Sequence, residues 1–163
     1  MTTGIIVSHC FHNMVHEIET QAIENIKTLL ANHEGPILGS WNERQDVKEL
    51  IPTEWDLDAD LNLNLPNSDH APGIIENWVK QYNINTIYIV GFHYNLCVRG
   101  VYNACEVASK SIPQVHRNNF HAYIIEECTA ALDLDNDQVM TVSEYKDKGN
   151  KIHNVIKLKD VSR

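Results

Sequence analysis

The chain has 163 residues, enough for a single domain (1–163) whose core needs neither disulfides nor a structural metal. Its 22 acidic against 13 basic residues give a formal net charge of -9, which repels phosphate backbones and anionic lipid heads and so argues against nucleic acid or a membrane as partner. No apolar stretch has the length of a membrane span, Met1 to Val7 lacks the basic flank and extended apolar core of a signal peptide, and Cys10, Cys97, Cys105 and Cys128 lack paired spacing. Reduced thiols and a cytoplasmic location are the expectations.

Gly4 to Ser8 (GIIVS) reads as a short β-strand. Glu17 to Asn32 follows as an amphipathic helix, with Ile18, Ala22, Ile26, Leu29 and Leu30 on one face. Gly35 and Pro36 break the chain, Pro36 to Ser40 predicts a second strand, and Asn42 to Leu50 a polar helix. Asp56 to Asn67 alternates polar and apolar residues, which suits a half-buried edge strand ended by Pro66. Pro72 to Tyr82 is a helix, with Ile75, Trp78, Val79 and Tyr82 at helical spacing and proline in its first turn. Thr86 to Val90 (TIYIV) is an unbroken β-prone run, as expected of a central parallel strand covered on both faces.

Gly91 closes that strand, and Cys97 to Lys110 places Val98, Val101, Tyr102, Cys105 and Ala108 along a helical stripe. Strand His121 to Ile125, helix Asp137 to Lys148 and strand Val155 to Leu158 complete the order. Such alternation predicts an α/β fold: a Rossmann-like three-layer αβα arrangement around a mainly parallel sheet. Ser111 to Phe120 is a long connection, suited either to cover a pocket or to meet a second subunit.

Ligands in open parallel sheets bind beyond the carboxyl ends of the strands, and the loop Gly91 to Cys97 (GFHYNLC) falls there. A cysteine at a helix start feels the positive end of the dipole, which favours thiolate, and first-turn amides can hold an oxyanion. Covalent acyl transfer or hydrolysis is the chemistry these features suit. The same position also suits a small buried residue that only packs a helix start.

The stretches IYIVGFHYNLCV, VYNACEVA and HAYIIEECTAA resemble the cysteine-hydrolase signature of the isochorismatase-like superfamily, in which a strand ends in glycine and the nucleophile follows with valine behind it. Gly91, Cys97, Val98 and Ala104 match in register. The resemblance implies the isochorismatase-like hydrolase fold, Cys97 as nucleophile, a small-molecule substrate, and a homo-oligomer. It also implies an aspartate ending the first strand, where this chain has Ser8 or His9, and a lysine before the helix at Pro72, where Asn64 or a neighbour stands. No lysine lies between Lys48 and Lys80. The Asp-Trp-His metal motif of the nicotinamidase branch is replaced by Ser40, Trp41 and Asn42, so no metal and no cofactor are expected.

A working enzyme therefore needs a substitute base, and His9 at the strand end is the candidate, because imidazole titrates near neutral pH. His93 and Tyr94 are candidate substrate contacts, or packing and turn residues. His9, Cys10, His12 and His16 have no specific metal spacing. Asp133, Asp135, Asp137 and Glu144 mimic a calcium loop but put Gln138 where glycine is required, and read better as an acidic helix start. Two functions follow: a divergent cysteine hydrolase acting on a small amide, ester or related acyl compound through Cys97, or a catalytically degenerate member of the fold serving as a binding or assembly module.

Overall fold

Residues whose side chains are β-branched and apolar at successive positions can be buried on both faces of a sheet, and the opening run of this chain does so. In the computed structural model, which describes residues 2–54, 71–111 and 120–161, it forms β1 (Thr2–Ser8). Ile5 and Val7 pack on one side with Ala22, Ile23, Ile26 and Leu30 of α1 (Glu17–Ala31). Ile6 points the other way, into a cluster with Ile75, Trp78 and Val79 of α3 (Ala71–Tyr82) and Val101 and Cys105 of α4 (Arg99–Ser111). One strand thus sits between two helical layers.

The remaining strands of that sheet are β2 (Ile37–Ser40), β3 (Thr53–Glu54), β4 (Ile84–Gly91), β5 (His121–Ile125) and β8 (Val155–Ile156). Their order is β3-β2-β1-β4-β5-β8, and every pair is parallel. The chain winds outward from β1 through β2 to β3, then returns to β4 on β1's other side, so the winding direction reverses between β1 and β4. That reversal opens a crevice beyond the carboxyl ends of these two strands. Register places Ser8 opposite both Ser40 and Gly91, at the floor of the crevice.

The short α2 (Gln45–Lys48) is the part of the expected Asn42 to Leu50 helix that forms. Two segments differ from expectation. The helix expected over Asp137 to Lys148 is shorter, α5 (Val142–Asp147), and is preceded by an antiparallel hairpin of β6 (Ala131–Asp133) and β7 (Gln138–Met140). The acidic run is the hairpin turn, not a helix start. The Asp133 carboxylate accepts from the Asp135 and Asn136 amides at 3.1 and 3.2 Å, and Asp137 takes the left-handed conformation at φ 52°. Thr141 and Glu144 form the capping box that starts α5 one turn later. The strand expected at Asp56 to Asn67 and most of the Ser111 to Phe120 connection lie outside the described residues.

Candidate active site

At the end of β1 the chain turns sharply. His9 has φ 47°, its amide donates to Ser40 O at 3.0 Å, and Asn42 fixes the next residue with two buried hydrogen bonds. The Asn42 amide donates to Val7 O at 2.9 Å and its carbonyl accepts from Cys10 N at 2.9 Å. Asn42, which occupies the last place of the metal motif in the resemblance, is here a backbone clamp. It positions His9.

Beta-4 ends in Gly91, whose φ of 112° and closeness to β1 require glycine: an added Cβ would stand 1.9 Å from Ser8 O. Phe92 then donates to Ser8 O at 2.8 Å, and a cis peptide joins Phe92 to His93. Residues Tyr94–Val98 form a single π-turn, closed by Val98 N donating to His93 O at 3.2 Å and kinked at Leu96. Cys97 therefore lies in a turn ahead of α4 and not at its first residue.

The turn is pinned from behind. The Tyr94 amide donates to Ala130 O at 2.8 Å and its hydroxyl accepts from His153 N at 3.0 Å. Asn95 makes a reciprocal pair with Leu132, donating to its carbonyl at 2.8 Å and accepting from its amide at 2.9 Å. With Tyr94 and Asn95 turned to the hairpin side, His93, Leu96 and Cys97 face a cavity of about 290 Å³, which they line together with His9, Phe11, Met14, Glu19 and Phe92. Tyr94, expected as a possible substrate contact, is instead a core residue stacked edge-on to Tyr145, and it does not line this cavity. Its hydroxyl fastens the turn.

Three larger clefts among the described residues do not hold the same chemistry. One of about 490 Å³ lies at the amino end of β1, lined by Thr2, Thr3 and His33, one of about 470 Å³ runs between α1 and residues around Glu126, and another of about 470 Å³ is lined by Thr2, Pro52 and Trp78. None of the three is lined by a cysteine.

The electrostatics of the cavity are set by burial. His9 is 2% exposed, stands edge-on to Phe11 and Trp41 with ring centroids 5.2 Å away, and among the described residues has no hydrogen-bond partner on either ring nitrogen. Desolvation, aided by repulsion from His93, pushes its pKa down to about 4, so it is a neutral imidazole at pH 7. Burial pushes the Cys97 thiol above its usual range. The thiolate expected from a helix dipole is thus not supported: Cys97 lies in the kinked turn ahead of α4, and burial favours the neutral thiol. Ser8, the other candidate at the aspartate's place, is fully buried with a hydroxyl that lacks a partner among the described residues, and it is not among the cavity residues.

Sequence reasoning missed Glu19. It caps α1, accepting from His16 N at 3.2 Å through Oε1, while Oε2 lies 2.6 Å from Nε2 of His93. Only 5% of Glu19 is exposed. The spacing His16-x-x-Glu19 was a legible capping signal, but the bond to His93 spans 74 residues and leaves no local pattern. Of the residues considered for a metal, Cys10 is fully buried, with its thiol pushed up to about 12, and His16 caps Ile18 N through Nδ1 at 3.1 Å. Among the described residues no group of three or more His, Cys, Asp or Glu side chains is placed to hold a metal ion.

The six-stranded parallel sheet with helices on both faces matches the three-layer isochorismatase-like fold. The chain has that fold. Superposition on an isochorismatase from Pseudomonas putida KT2440 gives a TM-score of 0.62 at 12% identity, over 98% of this chain and 90% of that one. An isochorismatase family protein superposes with 0.56 at 10% identity, over 96% and 97%. A nicotinamidase/pyrazinamidase from Bacillus subtilis gives 0.50 at 11% identity, over 84% and 91%. No family model matches the sequence, and no curated protein matches it. No helix among the described residues is long and apolar enough to cross a membrane.

Proposed function

We propose that the protein is a divergent isochorismatase-type cysteine hydrolase acting on a small amide, ester or related acyl compound. The observation that carries this reading is the shared cavity: Cys97, His9 and His93 line one pocket at the point where the winding of the sheet reverses. Cys97 is the nucleophile and His9 the base. Because burial favours the neutral thiol and the neutral imidazole, an ion pair does not exist beforehand. His9 takes the thiol proton as sulfur attacks the acyl carbon, and the imidazolium returns it to the leaving amine or alcohol. Water then hydrolyses the thioester, releasing the acid and restoring the thiol. His93, held by Glu19, is the substrate contact.

Two observations favour the alternative, a degenerate fold that binds without turnover: the Cys97 thiol is raised, not lowered, and Ser8 or His9 stands where the resemblance implies an acid. A panel of chromogenic amides and esters separates the two. Turnover that disappears in Cys97→Ala supports the hydrolase, whereas ligand binding without turnover in the wild type supports the binding module.

A further inference from the structure

The walls of the Cys97 cavity carry a charge pattern that decides which acyl compounds can enter. Phe11, Met14, Phe92 and Leu96 make the apolar part. The polar part is Asn13, neutral His9 and the pair of Glu19 and His93, whose Oε2 and Nε2 lie 2.6 Å apart. No lysine or arginine lines the cavity among the described residues. Arg99, two positions after Cys97, directs its guanidinium to His153 Nε2 at 3.0 Å. Arg44 is held by Asp46 at 3.0 Å. Of the residues not described, 55–70 contain no lysine or arginine and include Asp56, Asp58, Asp60 and Asp69. Arg117 and Arg163 also lie outside the described residues.

We infer that the site takes an uncharged, small acyl compound and rejects carboxylates, with the buried Glu19 and the absence of lysine and arginine from the described lining as the determinants. The inference rests on the reading of this cavity as the substrate site. A carboxylate entering would lose its water, meet a wall carboxylate 5% exposed, and find no lysine or arginine among the described lining residues, with His93 already engaged by Glu19, a desolvation cost with no new ion pair to offset it. A neutral amide or ester loses little water and packs on the apolar wall. The volume of about 290 Å³ is near the lower edge of ligand pockets, which restricts the substrate to a small molecule.

Cys97 itself can report the field, independently of turnover. Its labelling rate is measured in the full-length protein with three methanethiosulfonates bearing a methyl, an ethylammonium or an ethylsulfonate group. In each reaction the thiolate forms a disulfide and methanesulfinate leaves. The reference is Cys97→Ser/Val107→Cys, whose new thiol sits at a position 55% exposed on α4 and so reports the field of the whole acidic molecule. Cys10, Cys105 and Cys128 are buried and stay silent in both.

The methyl-to-sulfonate rate ratio at Cys97 exceeds the reference ratio at least tenfold, and Leu96→Lys, which puts a cation on the cavity wall, brings the two ratios within about threefold. Equal ratios in wild type and reference, a faster sulfonate, no reaction at Cys97 with any reagent, or no response to Leu96→Lys overturns the inference. The two proposals fail separately: selective labelling without turnover of any amide or ester sinks the hydrolase and leaves the charge filter, while Cys97-dependent turnover that prefers carboxylate-bearing substrates sinks the filter and leaves the hydrolase.

Discussion

Replacing His9 by phenylalanine should make the fold markedly less sensitive to acid. The folded protein holds His9 at a pKa of about 4, against 6.5 for a free imidazole, because the ring is buried between Phe11 and Trp41 with no hydrogen-bond partner among the described residues. The folded value lies below the unfolded one. The unfolded chain therefore binds the extra proton between these values, and stability is full above pH 6.5 and falls as pH drops toward 4. From those two values the wild type loses roughly 2.5 kcal/mol on going from pH 7.5 to pH 4.5 through this residue alone. His9→Phe keeps the ring contacts and removes the titrating nitrogens. Urea unfolding followed by tryptophan fluorescence at both pH values should show a pH-dependent loss smaller by about 2 kcal/mol in the variant. His33, whose pKa burial also lowers, contributes equally to both proteins and cancels. If wild type and variant lose the same stability, His9 is not a buried neutral imidazole, and its place as base fails with it.

Gly91→Ala should prevent stable folding, since φ 112° and a Cβ 1.9 Å from Ser8 O leave no room without moving β1 from β4; a thermal melt should show either no cooperative transition or a loss of several kcal/mol. Asn42→Ala removes two buried 2.9 Å hydrogen bonds and orphans Val7 O and Cys10 N, so urea unfolding should register a cost of about 2 to 4 kcal/mol. In the native protein a colorimetric disulfide reagent should titrate one thiol, Cys97, and in denaturant all four, because Cys10, Cys105 and Cys128 are buried.

The fold was legible wherever burial has a period. Ile5 to Val7 and Thr86 to Val90 are apolar on both faces because helices cover both, and the helices over Glu17–Ala31 and Ala71–Tyr82 show their stripes at 3.6-residue spacing. The hairpin at 131–140 was misread because three aspartates at alternate positions fit a helix start as well as a tight turn. Only the Asp133 side chain bonding to the amides of 135 and 136 separates the two. The capping pair Thr141 and Glu144 was the signal that placed the true start.

At the candidate site, residues carried by a local motif were visible and residues joined by folding were not. Cys97 and the glycine ending β4 could be read from spacing, and His9 from its place after a strand. That Tyr94 turns inward to accept from His153, and that Glu19 reaches His93 across 74 positions, are results of tertiary packing. The environment of Cys97 was misjudged for a related reason. A helix start was inferred, but the chain makes a kinked π-turn there, and the buried surroundings raise the thiol.

The most direct measurement is of the covalent intermediate. Protein mixed with a small activated ester is quenched in acid within milliseconds to seconds, digested, and read by mass spectrometry for the acyl group. The acyl mass should ride on the peptide containing Cys97, appear before the steady state, decay as product forms, and be absent in Cys97→Ser. Product released at the wild-type rate by Cys97→Ser, or turnover with the acyl group never found on that sulfur, would contradict the assignment.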